Sequence, residues 1–473
     1  MSSAKIELGS TCMKDAEGSL PSGPLVAWYG DDFTGAAAVM EVLSFAGLPS
    51  MLFLQPPTDA QLAQFPDLKG IGIASIARAQ SPAWMSSELP SVFSMLKDLN
   101  PAVMHYKICS TLDSSPDTGS IGRAIEIGAD LFQSAVVPIL VAAPQMRRYQ
   151  SFGHLFAGMG EAVYRLDRHP VMARHPVTPM NESDVAKHIS RQSDRLDISC
   201  LSLEALTYTD CNPALAKASA DNRISAVTLD SVDAASESAA GRLIWNGRHS
   251  NRFVVGSQGV EYALVKYWQD CGLLAPADAP KSIGRAERMV VVSGSVSPTT
   301  AEQIAWSKEN GFTCIAFDAA AACEGPAAVA HEIDRVVDAA LQAIASKNDP
   351  LIHTAEGPDD PAVARFTAAV EASEHDTPSA NQMVGEALGR VLQRTLEMSG
   401  ARRAVVSGGD TSGHATRQLG VWGLSALAPT IPGAAIFKAH GDGPVDGLEL
   451  ALKGGQMGSH DYFGWIRSGG GTR

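Results

Sequence analysis

"LVAWYGDDFTGAAAVMEVLSFAG", residues 25–47, reads as a strand, a polar turn and a helix. The run Leu25–Val26–Ala27–Trp28–Tyr29 is continuously apolar, as a strand covered on both faces must be. It stops at Gly30, two carboxylates follow at Asp31 and Asp32, and Thr34 and Gly35 open a helical stretch. That unit is the building block of α/β proteins. Two adjacent acids at a strand tip also raise a chemical question. One can cap the helix that begins near Thr34. The other is then free to accept a proton from a hydroxyl that attacks phosphorus.

The same unit recurs along the chain. Apolar runs at 25–30, 71–77, 102–108, 136–143, 226–230, 253–257, 289–295, 314–318, 351–355 and 403–409 read as strands. Amphipathic stretches at 35–47, 82–98, 117–130, 231–244, 298–310, 325–347, 360–374 and 380–398 read as helices between them. The pattern predicts two α/β domains with mainly parallel sheets and an active site in the cleft between them. The expected segments are a flexible stretch at 1–23, a first domain at 24–270, a linker at 271–288 and a second domain at 289–473. A chain of 473 residues is long for one core.

Composition narrows the function. The formal net charge of −14 argues against a phosphate-backbone binder, which needs a basic footprint, so no nucleic-acid partner is expected. Seven scattered cysteines without a Cys-x-x-Cys pair argue against a zinc ribbon or a disulfide framework and fit a reducing cytoplasm. The longest apolar run, near Val136–Ala143, contains Pro138 and is far too short for a membrane helix, so no membrane partner is expected. A homodimer is allowed.

Three small-residue loops follow strands in the second half. They are "SGSVSP" (293–298), "SGGDTSG" (407–413) and "KGGQMG" (453–458). Glycine lets a backbone approach a ligand, and the free N–H groups of a helix's first turn attract anions. Any one loop is an ordinary turn; three together suggest a nucleotide or pyrophosphate cradle. No Walker A loop, Rossmann fingerprint or protein-kinase signature is present. Asp-x-Asp-x-Thr chemistry is also excluded, because Asp31 and Asp32 are adjacent. "SGSVS" fails as a hydrolase nucleophile elbow, since Pro298 stands where that motif needs glycine.

In the first half, "YKICSTLDSSPDTGSIGRA" (106–124) ends a strand at Lys107 and crowds hydroxyls into the next loop. Such a mouth suits a small carboxylate or polyol, or is simply a capped loop. "YRLDRHPVMARHPVTPM" (164–180) reads as a stiff, Arg-containing loop that could contact an anion; its histidines lack a usual metal spacing.

The ordered set "GDDFTGA", "K…ST", "SGSVSPTTAEQI", "VVSGGDTSG" and "LALKGGQMG…DYF" resembles the four-carbon acid sugar kinase family over nearly the whole chain. The resemblance implies a sugar-acid-binding N-terminal domain, a nucleotide-binding C-terminal domain, and ATP-dependent phosphorylation of a terminal hydroxyl of a four-carbon aldonate or oxo-tetronate. It implies Asp31, Asp32, Lys107, Ser110 and Thr111 at the substrate; of the two acids, either of which could deprotonate the hydroxyl, Asp32 is expected as base over Asp31. It implies Ser293, Gly294, Ser295, Gly408, Gly409, Asp410, Thr411, Gly454 and Gly455 at ATP, with Mg²⁺ neutralising the phosphates. Many members read "STLRG" after the lysine; here Asp113 stands in that region, and Arg123 or Arg174 is expected to replace the missing arginine. The alternative is a non-catalytic sugar-acid or nucleotide sensor on the same fold.

Overall fold

The computed structural model describes residues 18–175, 177–208, 223–278 and 280–473, with the side chains of Thr207, Tyr208 and Asp410 outside that description. Its strands in the N-terminal half are β1 (Val26–Gly30), β2 (Ser50–Phe53), β3 (Gly70–Ala74), β4 (Val103–Lys107), β5 (Val137–Leu140), β6 (Arg148–Ser151), β7 (His154–Met159), β8 (Ala162–Arg165), β9 (Leu196–Leu201), β10 (Ile224–Leu229) and β11 (Phe253–Gly256). In the C-terminal half they are β12 (Met289–Ser293), β13 (Phe312–Ala316), β14 (Asp349–His353), β15 (Arg403–Ser407), β16 (Val421–Ala428), β17 (Ile436–Gly441) and β18 (Glu449–Lys453). The α/β reading and the parallel character of each half hold.

One feature differs from two separate sheets. All but β6, β7 and β8 belong to a single 15-stranded sheet, in the order β13-β14-β12-β15-β18-β17-β16-β2-β3-β1-β4-β11-β5-β10-β9. The join is antiparallel: β16 pairs with β2 through Gly423–Phe53 and Leu424–Leu52, and with β17 on its other side. β17 then pairs antiparallel with β18, which lies parallel to β15. Strand sense therefore reverses three times between β2 and β18, and the two parallel blocks run in opposite senses.

In a flat sheet that reversal would put the C-terminal strand tips of the two blocks on opposite edges. Sheets twist by about 20–25° per strand, so the six steps from β1 to β15 turn it by about 130°. A Cβ on Gly433, in the loop between β16 and β17, would lie 3.4 Å from Thr34 Cγ2, just past the tip of β1.

The helices begin where local chemistry starts them. Ser81 caps Pro82–Asp98, Asp233 caps Ala234–Gly247, Ser297 caps Pro298–Glu309 and Asp376 caps Thr377–Ser399, each accepting a first-turn N–H. They cover the sheet, and one apolar cluster runs through both halves, from Val26, Trp28 and Leu52 to Val290, Val406 and Leu452. Of the stretch 164–180, residues 164–165 end β8, and two single 3₁₀ turns follow, Leu166–Arg168 and Met172–Arg174; residue 176 lies outside the described residues. Among the described residues no helix is long and apolar enough to cross a membrane.

Candidate active site

β1 carries Asp31 and Asp32 to the edge where β3 and β4 also end; Gly30 pairs with Ala74 and with Lys107. Asp32 is the N-cap of the helix Phe33–Phe45, its Oδ1 accepting the Gly35 N–H at 3.0 Å. Asp31 is buried, and its backbone N–H donates to the Lys107 carbonyl at 2.9 Å. Both carboxylates meet Arg78, on the 3₁₀ turn Ala77–Ala79. Arg78 Nη2 donates to Asp31 Oδ1 at 2.6 Å and to Asp32 Oδ1 at 2.7 Å, and Nε donates to Asp31 Oδ2 at 3.2 Å.

The division expected from the sequence, one acid capping and the other free, does not hold: Asp32, which caps the helix, is also the more open of the two. Asp31 has both oxygens engaged and a side chain only 3% exposed, whereas the Asp32 side chain is 29% exposed. Among the described residues no hydrogen bond reaches Asp32 Oδ2, so it is the oxygen of the pair available to an incoming hydroxyl. Burial pushes the Asp31 carboxyl above its ordinary range, with Arg78 pulling the other way.

Lys107 is buried beside them, its Nζ donating to the Ile108 carbonyl at 2.6 Å. A Cβ on Gly35 would lie 2.5 Å from Asp32 Oδ1 and 2.7 Å from Lys107 Nζ, so only glycine lets cap and ammonium close on this turn. Ser110 is half-buried next to the buried Thr111. Thr111 Oγ1 donates to Asp113 Oδ1 at 2.9 Å and lies 3.0 Å from Cys109 Sγ. Asp113 thus braces the loop from within.

The two arginines expected to serve this loop are engaged elsewhere or outside it. Arg123 donates from Nε to Ser86 Oγ at 2.9 Å and pairs with Glu126. Arg174 is exposed on its 3₁₀ turn. Besides Lys107, the fold brings two arginines toward the site, Arg78 and Arg148. Arg148 sits within electrostatic reach of Cys109 and Asp113, with Nη1 on the carbonyls of Met146, Arg147 and Gly158. Neither carries a sequence signal. Arg78 falls at the end of a tract that reads as a strand, and Arg148 opens a short strand of a mixed polar pattern.

On the C-terminal half, β14, β12, β15 and β18 are neighbours, and Ser293 pairs with Ser407, Ser407 with Lys453. The three glycine loops therefore leave adjacent strand tips. They surround a cavity of about 520 Å³ together with Thr354 and Ala355, which follow β14. Gly294, Ser295, Gly408, Gly409, Thr411 and Gly455 line it; Ser293 is fully buried beneath, and Gly454 lies between Lys453 and Gly455. All lining residues belong to the C-terminal half. Asp410 is in the helix Gly409–Gln418, and its side chain lies outside the described atoms.

The loops differ in what they leave free. Ser297 occupies the first turn of its own helix by accepting the Thr300 N–H at 3.1 Å, and it donates to the Gly455 carbonyl at 2.5 Å. The helix Gly409–Gln418 has Gly408 as N-cap, with φ +126° and no side-chain cap. Its N-terminus opens on the cavity uncapped, the arrangement that receives phosphate oxygens. Cβ atoms on Gly294 and Gly408 would strike Thr411 Oγ1 at 2.3 and 2.8 Å, whereas one on Gly409 would meet nothing within 4 Å. Helices Pro361–Ala372 and Thr377–Ser399 add the apolar side chains of Val363, Phe366 and Val384 to the lining, with Thr367, Thr377 and Asn381. Phosphate-type donors together with apolar side chains fit a nucleotide.

Lys453 is a further residue that the sequence did not single out. It is buried, and its Nζ contacts the carbonyls of Gly454 and Gly455 at 3.2 and 3.5 Å and Thr300 Oγ1 at 3.5 Å. Burial pulls its ammonium down to about 8. Among the described residues no cluster of three His, Cys, Asp or Glu side chains could hold a metal.

Comparison with known proteins agrees with this division. Residues 26–264 match the family described as sugar-binding N-terminal domain, and residues 290–463 the family described as nucleotide-binding C-terminal domain. A Paraburkholderia graminis 3-oxo-isoapionate kinase is 42% identical, covering 95% of this chain and 95% of its own. A Cupriavidus necator 3-oxo-tetronate kinase is 28% identical, covering 94% of this chain and 97% of its own. Among solved structures, a Salmonella typhimurium LT2 protein described as a putative tRNA synthase superposes with a TM-score of 0.73 at 23% identity, covering 94% of this chain and 98% of that one. A Haemophilus influenzae protein superposes at 0.70 and 21% identity, covering 93% of this chain and 99% of that one. The two structural likenesses concern the fold alone.

Proposed function

We propose, for a chain that belongs to the four-carbon acid sugar kinase family and is an ATP-dependent sugar-acid kinase, that it phosphorylates a hydroxyl of a 3-oxo sugar acid with Asp32 as general base. The observation that carries the reading is the Asp31–Arg78–Asp32 clasp, which leaves Asp32 Oδ2 as the accessible carboxylate oxygen at the strand tip. Arg78 and Lys107 hold the site's positive charge, Thr111 and Ser110 supply hydroxyls, and Arg148, within electrostatic reach of Cys109 and Asp113, serves a substrate carboxylate. The uncapped turn at Gly408–Thr411 and the backbone at Gly294, Ser295, Gly454 and Gly455 receive the phosphates of ATP, and Val363, Phe366 and Val384 cover the base. Mg²⁺ enters as the counter-ion of those phosphates.

The substrate is the finer question. The 42% identical relative acts on 3-oxo-isoapionate and the 28% identical one on 3-oxo-tetronate, so identity supports the isoapionate type first. The free thiols of Cys109, Cys200, Cys314 and Cys323 support a reducing cytoplasm. The test is ADP release from Mg·ATP in a coupled assay with 3-oxo-isoapionate, 3-oxo-tetronate, and the four-carbon aldonates threonate and erythronate. Turnover with one acid fixes the substrate; ATP binding without turnover on any acid favours the non-catalytic sensor.

A further inference from the structure

Glu41 lies on the helix that Asp32 caps, and it is buried. Its Oε2 accepts the N–H of Gly433 at 2.9 Å and its Oε1 the N–H of Ala435 at 3.0 Å. Both donors come from the loop between β16 and β17 in the other half of the chain. Two N–H groups thus face two oxygens. A carboxylate satisfies both at once. A protonated carboxyl or a carboxamide offers one bare acceptor and turns a donor toward the second N–H.

The charge is held without a cation. The titratable groups facing it are Tyr262, from helix Gly259–Asp270, and Tyr462, from helix Tyr462–Arg467. No ion pair to Glu41 occurs among the described residues. Burial pushes its carboxyl up to about 7, with the two backbone donors pulling down. A buried carboxylate is a costly way to hold two elements together when apolar packing would serve.

What the loop touches gives that cost a purpose. Gly433 lies against Thr34, two residues past Asp32. The Ala434 carbonyl accepts from Tyr462 Oη at 2.8 Å, and the Tyr462 ring lies 6.0 Å from Lys453 Nζ, which holds the Gly454 and Gly455 carbonyls. Residues 433–435 therefore connect the start of the Asp32 helix with the third glycine loop.

We propose that Glu41 is a positioning residue for phosphoryl transfer, its carboxylate fixing the sugar-acid site and the nucleotide site at the separation that direct transfer needs. The proposal rests on the sugar-acid kinase reading and adds a residue that touches neither ligand.

The test compares the wild type with Glu41→Gln, which keeps the shape and removes one acceptor. Affinity for a non-hydrolysable ATP analogue is measured calorimetrically with and without saturating 3-oxo-isoapionate or 3-oxo-tetronate, and kcat is measured alongside. The expected result is that acid alters nucleotide affinity in the wild type but not in Glu41→Gln, each ligand alone binding both proteins equally. kcat falls about tenfold or more in the variant. In the wild type both coupling and kcat weaken as pH falls through about 7, and the variant lacks that step. Wild-type coupling and kcat in Glu41→Gln overturn the proposal, as does absence of coupling in the wild type. Coupling present in the wild type and lost in Glu41→Gln, but without turnover on any acid, sinks the kinase reading and with it the phosphoryl-transfer role, leaving Glu41 only as the tie between the two binding sites. Should Glu41→Gln fail to fold, Tyr462→Phe tests the same loop from its other end, and wild-type coupling there overturns the proposal.

Discussion

Asp31 and Asp32 share one nitrogen: Arg78 Nη2 lies 2.6 Å from Asp31 Oδ1 and 2.7 Å from Asp32 Oδ1. One guanidinium thus stands between a buried acid and a half-exposed one. Replacing it with methionine leaves Asp31 buried without its cation. Breaking a buried pair on one side costs about 3–5 kcal/mol, and Arg78→Met should fall near the low end because Arg78 keeps 23% exposure. Urea unfolding measures this. Adding Asp31→Asn to the same chain should recover part of the loss, because the stranded charge is gone.

Asp32→Asn tests the base. General bases contribute roughly 10²–10⁴-fold, so kcat should drop by about that factor while calorimetric affinity for ATP stays unchanged. Stability should change little, since the carboxamide oxygen can still accept the Gly35 N–H. Unaltered turnover would remove Asp32 from the chemistry.

Gly409→Val and Gly408→Ala separate ligand space from backbone need. The first places a side chain where nothing lies within 4 Å, so the fold tolerates it and the cavity loses room. ATP affinity should fall with the melting temperature nearly unchanged. Gly408→Ala puts a Cβ at φ +126° and 2.8 Å from Thr411 Oγ1, so stability should fall as well. Equal losses of stability in the two variants would contradict this division.

Lys453 gives a signed pH effect. Its folded value is depressed to about 8 from 10.5, so the unfolded chain binds the extra proton between those values. Its contribution to stability therefore rises with pH from about 8 to about 10.5 and is flat below. Lys453→Met should lack this rise. The difference in melting temperature between the two proteins, followed from pH 7 to 10.5, reads it directly.

Regular elements were legible because pattern and packing agree. The helix at 82–98 appears with the bounds that Ser81, Pro82 and its apolar spacing dictate, and β1, β4, β11, β12 and β15 lie within the apolar runs. β2, β16 and β17 were not legible. β2 is four residues long, and β16 mixes buried and half-buried positions without strict alternation in an Ala- and Gly-containing stretch that resembles a loop. Without those three strands, one sheet reads as two. In the site, Asp31, Asp32, Lys107 and the glycine loops stand at strand tips, where a short motif is visible. Arg78 and Arg148 join them only through tertiary folding. Phe366 and Val384 line the cavity but have the helical spacing of ordinary core residues.

The antiparallel seam at β16 also limits how the chain can be divided. β2, "SMLF", is buried along its length, and β16 covers its outer side. A fragment ending before β12 would expose that apolar strand with its ladder unpaired, a template for adhesion to another fragment. The two ligand-binding halves are therefore poor candidates for separate expression or for shuffling between relatives, and a cut at the linker would yield aggregation-prone pieces rather than two working modules.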